Sequence, residues 1–207
     1  MRLALLGGTG RIGGHVLSWA LSAGHEVTAL ARDPRSLPAA DVVTVIAGQA
    51  TDPAAVAEVT AGADAVVSAL GPRGAKTPAL LAAAAEATVA AMGKAGSNRL
   101  ICVCAAGAFV EADPDMGALV KFILPKVFAK LYADVREMES VVSSSDLEWT
   151  LVRPTRLVNR PQTGRYRVRP EFAPVGGRSI ARSDVAHFIA GALTDNAWVR
   201  ARPALAY

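Results

Sequence analysis

The residues with the most chemistry to offer are Gly7-Gly8-Thr9-Gly10-Arg11-Ile12-Gly13. Gly7, Gly10 and Gly13 follow a short apolar run at residues 3–6. They open a segment in which Ile12, Val16, Trp19 and Ala20 fall on one helical face. A glycine loop between a strand and a helix is built to hold phosphate. Glycine permits the tight turn and lets backbone N–H groups approach a dinucleotide pyrophosphate. The helix start then turns its partial positive charge toward that anion.

Cofactor choice turns on the end of the second apolar run, residues 26–31. An acidic residue there holds the ribose 2′-hydroxyl of NAD, whereas arginine suits the 2′-phosphate of NADP. This chain places Arg32 first and Asp33 second. NADP(H) is therefore expected over NAD(H), with Arg11 available to assist. In the alternative, Arg32 is a solvated turn residue and Asp33 takes NAD's ribose. The carboxyl ends of later strands should flank the nicotinamide. They nominate Leu70, Gly71 and Arg73, then Ala105, Ala106 and Gly107, with Pro154, Thr155 and Arg156 completing the wall.

These positions need a scaffold, and the pattern supplies one. Apolar runs at 3–6, 26–31, 42–46, 65–70, 99–105 and 148–153 alternate with helical patterns at 12–23, 53–59 and 78–94. A long helical stretch at 115–143 is expected to break near Pro125. Such alternation predicts an α/β fold of the Rossmann type, a doubly wound parallel sheet. Residues 1–207 read as a single NAD(P)-binding domain. Residues 155–207 then form a small substrate-covering extension, with Ser183 capping a helix and a possible short strand at 204–207.

Composition narrows the function classes. A net charge of +4 is too mild and too evenly spread for nucleic acid. No apolar run reaches the roughly 18 residues of a membrane span. The apolar start is too short for a signal peptide, so a cytoplasmic protein with no membrane partner is expected. Cys102 and Cys104 read as free, buried thiols. His15, His25 and His187 lie far apart, and no metal site is implied. Lys121, Lys126 and Lys130 sit opposite Ile123, Val127 and Leu131 and read as a solvated helix face. Nothing decides between a monomer and a homodimer.

The glycine loop, the turn Ala31-Arg32-Asp33-Pro34 and the strand Trp149-Thr150-Leu151-Val152-Arg153-Pro154 resemble the atypical short-chain dehydrogenase/reductase family with NAD(P)H-binding, NmrA-like domains. Within it the chain is most similar to the biliverdin reductase B (flavin reductase) group. The segments Pro161-Gln162-Thr163-Gly164-Arg165-Tyr166 and Ser183-Asp184-Val185-Ala186-His187-Phe188 share that resemblance. It implies hydride transfer from NADPH to a flavin, quinone or similar conjugated acceptor. By that likeness Thr9, Gly10, Arg11 and Ile12 hold the phosphates, Arg32 the 2′-phosphate and Arg73 a nearby cofactor group. Pro154 and Thr155 lie against the nicotinamide.

The departures from the family pattern bear on mechanism. Short-chain dehydrogenases use a serine after the fifth strand and a Tyr-x-x-x-Lys pair. Here Ala105 and Ala106 stand where the serine falls, and Gln49 replaces an aspartate after the third strand. Tyr132 and Arg136 share a helix face, but a structural or surface role is expected of them, since arginine is no proton relay. No catalytic residue is assigned. The leading expectation is a reductase without a dedicated proton donor. The alternative is a non-enzymatic NADP(H)-binding sensor, and an epimerase or dehydratase ranks last.

Overall fold

The computed structural model describes residues 1–37, 40–71 and 79–207. In its first half, β1 (Arg2–Leu6), α1 (Arg11–Ser22), β2 (Glu26–Ala31), β3 (Thr44–Ala47), α2 (Pro53–Thr60) and β4 (Ala65–Ser68) follow in turn. Then come α3 (Leu80–Ala95), β5 (Arg99–Val103), α4 (Ala118–Val127), α5 (Ala129–Ser143) and β6 (Glu148–Pro154). The last part holds β7 (Arg156–Val158), β8 (Arg167–Pro170), β9 (Ser179–Ala181), α6 (Arg182–Thr194) and β10 (Pro203–Ala206).

One eight-stranded sheet runs in the order β3-β2-β1-β4-β5-β6-β10-β8. It is parallel except for β8, which pairs antiparallel with β10. This is a Rossmann-like α/β fold, with helices on both faces. Side chains alternate across each strand. Leu3 and Leu5 enter the core beneath α1 and α6, while Ala4 and Leu6 enter the core beneath α2, α3 and α5. Burial on both faces explains why the central strands read as unbroken apolar runs rather than alternating ones.

Several boundaries differ from expectation. β4 stops at Ser68 and β5 at Val103, so Leu70, Gly71, Ala105 and Ala106 lie in the loops beyond them. The long helical stretch does break near Pro125, as expected, though not at the proline itself. The helix continues to Val127 and breaks at Phe128, whose φ of −112° and ψ of 24° leave the helical region. Ser183 is not the cap of α6, because Ala181 holds that position and the Ser183 hydroxyl donates to the Arg160 carbonyl at 2.9 Å. β7 and β9 form a separate two-stranded ladder. β10 is no marginal strand but lies inside the main sheet.

The lysine face is as expected at Lys126 and Lys130, which are exposed, and at Leu131, which packs on the core, but not along the rest of α4. Leu119, Ile123 and Val127 are 70, 47 and 64% exposed, while Lys121 is half-buried. Only Leu124 and the start of α5 reach the core. Among the described residues, no helix is long and apolar enough to cross a membrane.

Candidate cofactor and acceptor site

The strand order reverses direction at β1, which has β2 on one side and β4 on the other. A crevice must open there beyond the carboxyl ends of the strands. The glycine loop fills one lip and residues 69–71 the other. Gly7 has φ of +88°, and a Cβ on it would lie 2.7 Å from the Ala69 carbonyl oxygen. A Cβ on Gly13 would collide with the Gly7 carbonyl. Any larger residue at either place would force the loop apart. Gly10 closes the turn by donating to Gly7 O at 2.8 Å.

The start of α1 is chemically vacant in a useful way. Its N-cap is Gly10, with no side chain to accept from the first-turn N–H groups, and no acidic residue lies in that turn. Those donors and the helix dipole are left for an anion, which fits a pyrophosphate. Ile12 is buried and anchors the helix in the core, whereas Arg11 is exposed beside it.

Arg32 stands exposed just past β2, and among the described residues it has no ion pair. Asp33 is used locally. Its Oδ1 accepts from the Arg35 backbone N–H at 3.1 Å and from Arg35 Nε at 3.2 Å, capping a short turn at Pro34–Ser36.

On the other side of the crevice, Leu70 is half-buried and Gly71 exposed, while Arg73 lies outside the described residues. Ala105 and Ala106, half-buried, lead from β5 into a 3-10 turn at Ala106–Phe109. Pro154 is buried at the end of β6, next to β5 in the ladder. Thr155 is committed to β10, since its N–H and hydroxyl both donate to Leu205 O, at 3.1 and 3.0 Å. Arg156 is exposed and opens β7 opposite Ser179. Every described candidate thus lies along or just beyond the carboxyl edge of the sheet. Arg156 and Arg32 lie at its periphery.

Side chains, not glycines, hold this second wall. Arg153 and Glu139 form a buried bidentate pair, Nε to Oε1 at 2.9 Å and Nη2 to Oε2 at 2.6 Å. The guanidinium stacks 3.6 Å from the Phe109 ring centroid and donates to Glu171 O at 2.7 Å. One cluster therefore ties β6, α5, the 3-10 turn and the end of β8. Asp134 adds another tie, accepting from Leu81 and Ala82 N–H at 3.0 and 2.9 Å across the start of α3. Sequence reading missed both carboxylates, because their partners are distant in the chain.

Among the described residues, no group at the ends of β5 and β6 is tuned for proton transfer. Tyr132 is buried, with its hydroxyl against Gly107, and burial raises its pKa above the ordinary phenol value. Arg136 does not activate it. It donates to Ala108 O at 2.9 Å and pairs with Glu111 at 3.6 Å. Burial pushes the Cys102 thiol up to about 12 and the Cys104 thiol higher than its usual range, so neither is a thiolate. Both cysteines are free and buried.

A family model described as NAD(P)H-binding matches residues 7–196. The chain belongs to this NAD(P)H-binding family. Solved structures similar to it share the whole architecture. A Burkholderia pseudomallei protein named only as an exported one is 31% identical, with a TM-score of 0.83 and full coverage of both chains, 100% and 100%. A short-chain dehydrogenase/reductase from Veillonella parvula, solved with NADP, is 21% identical at a TM-score of 0.83, covering 100% of this chain and 94% of that one. ChuY, an anaerobillin reductase from Escherichia coli O157:H7, is 23% identical at a TM-score of 0.82, covering 100% and 97%. For the NAD(P)H-binding family member described here, the latter two show the fold alone.

Proposed function

We propose that this chain is an NADPH-dependent oxidoreductase that delivers hydride to a flavin, quinone or similar conjugated acceptor. The observation that carries the reading is the contrast within one crevice. One lip is an uncapped anion cradle, and the other is lined by Ala105, Ala106, Pro154 and a Thr155 hydroxyl already bonded to Leu205 O. Such a wall can exclude water and orient a flat ring but, among its described residues, has no acid or base to offer. Bound NADPH supplies the hydride chemistry.

The residues divide the remaining tasks. Gly7, Gly10 and Gly13 shape the pyrophosphate cradle, with Thr9, Arg11 and Ile12 alongside. Arg32 takes the 2′-phosphate, supported by the capping role that occupies Asp33. Leu70, Gly71, Ala105, Ala106, Pro154 and Thr155 confine the nicotinamide, and the part of residues 155–207 that lies outside the main sheet and its core helix covers the acceptor, with Arg156 at its edge. A conjugated acceptor spreads the incoming negative charge, so the lack of a protein acid is tolerable. The anaerobillin reductase on the same fold supports a reductase with an acceptor of this breadth.

The test is NADPH oxidation by the purified protein with FMN, a quinone and an open-chain tetrapyrrole. Acceptor-dependent loss of NADPH absorbance is expected. In Arg32→Ala, the preference for NADPH over NADH should fall by about tenfold or more. Saturable NADPH binding with no oxidation across the panel would reject the reductase and leave a cofactor-binding sensor.

A further inference from the structure

The carboxyl edge of the sheet brings up a second arginine that the glycine motif does not contain. α1 leads from β1 into the parallel β2, and α6 leads into β10, which is parallel to β6. Both helices therefore run against the strands and start at the same edge. They lie side by side across a groove with His15 and Ser18 on one wall and Ser183 and His187 on the other. Arg11 is the first residue of α1 and Arg182 the first residue of α6.

Two guanidiniums thus stand at neighbouring helix starts, where each helix adds partial positive charge of its own. Neither helix start is capped by a side chain. Arg182 is half-buried and held in place by Asn159, whose Oδ1 accepts from Nη1 at 2.7 Å. That partner is neutral. Among the described residues, neither arginine has a carboxylate within ion-pair distance. Burial first, and then the charge of Arg11, lower the pKa of the Arg182 guanidinium. Asp184 lies in the first turn of α6, but its carboxylate is taken up by Thr163, Gly164 and Tyr207, so it pairs with neither arginine. Two like charges at adjacent helix starts repel, and an anion between them relieves that repulsion. Arg156, Arg160, Arg165 and Arg178 are exposed and screened by water, as Arg11 is, whereas Arg182 is half-buried.

We propose that Arg182 is a cofactor-binding residue, which forms with Arg11 a two-guanidinium clamp for the pyrophosphate of NAD(P)H. The clamp would link the extension to the cofactor through α6, so that binding draws the start of α6 and the start of α1 onto one anion. It rests on membership of the NAD(P)H-binding family and not on the proposed acceptor.

The experiment compares the wild-type protein with Arg182→Gln, Arg182→Lys and Arg178→Gln by NADPH fluorescence titration and by thermal melting. Adenosine 2′-monophosphate, which carries the 2′-phosphate without a pyrophosphate, is the second ligand. Arg182→Gln should raise the Kd for NADPH roughly tenfold or more, since a charged hydrogen-bond pair is lost. Its affinity for adenosine 2′-monophosphate should be unchanged, and its unliganded melting midpoint should be equal or higher. Arg182→Lys should recover part of the affinity, and Arg178→Gln should match wild type. An unchanged NADPH Kd in Arg182→Gln overturns the proposal, as does an equal loss for both ligands. An effect on acceptor KM alone also overturns it, moving Arg182 to the acceptor.

Discussion

The two lips of the crevice are built by different means. Beside β1 the backbone itself is the binding surface, and the tolerance is a single Cβ, as Gly7 against Ala69 and Gly13 against Gly7 show. Beside β5 and β6 the backbone is ordinary strand. Position there depends on long-range side-chain ties, Glu139 to Arg153, Asp134 to α3 and Thr155 to Leu205. A cradle of main-chain donors suits a ligand common to a whole family. A wall braced from behind leaves its front residues free to vary with the acceptor.

The comparison breaks most severely at Glu139. Glu139→Ala would take from the buried Arg153 guanidinium its bidentate partner and leave it only the half-exposed Glu171 carboxylate at 3.3 Å. The destabilisation should be up to about 3–5 kcal/mol by chemical denaturation. Because the second wall loses its brace, acceptor KM should rise more than NADPH Kd. Equal changes in the two would contradict the division. Gly13→Ala probes the opposite lip. Overpacking against the Gly7 carbonyl should lower stability by about 1–3 kcal/mol and abolish saturable NADPH binding. A variant that still binds NADPH normally would show that the loop has more room than its backbone contacts allow.

A third test concerns the extension. Asp184 is buried, which raises its pKa, but hydrogen bonds from Tyr207, Gly164 and Thr163 outweigh that effect and hold it below the usual 3.8. A folded pKa below the unfolded one contributes stability above the unfolded value and loses it as pH falls through the folded value. Acid melts of wild type should therefore lose this contribution below pH 3.8, and Asp184→Asn should lack that limb. Identical acid limbs in both proteins would show that the Asp184 bonds to Thr163, Gly164 and Tyr207 do not stabilise the extension. The smallest effect is expected from Tyr132→Phe, whose kcat should stay within about twofold of wild type, because a phenol with a raised pKa is no proton relay. A large fall in kcat would place Tyr132 in the chemistry.

Legibility in the sequence followed the same division. Gly7, Gly10, Gly13 and the strand-turn-helix around them are contiguous, and local geometry alone fixes their use. The parallel sheet was readable from apolar runs long enough to be buried on both faces. β7 and β9 were not, because strands as short as Arg156–Val158 and Ser179–Ala181 carry no period to detect. The apolar face of α4 was not legible because Lys121 and Lys126 among apolar residues fit two orientations of the wheel, and only the packing of Leu124 on the core selects one. Glu139 and Asp134 owe their roles, and Arg182 its proposed one, to partners far along the chain. Composition and spacing hold no signal for such pairs.

The central claim is that the cofactor lip supplies the chemistry and the acceptor lip supplies no proton. Its most direct test is the pH dependence of kcat for NADPH oxidation with a quinone or flavin, measured in wild type from mildly acid to mildly alkaline solution. A flat profile, with acceptor-dependent turnover throughout, is the predicted result. A profile governed by a single ionisation that disappears in Tyr132→Phe would contradict the account.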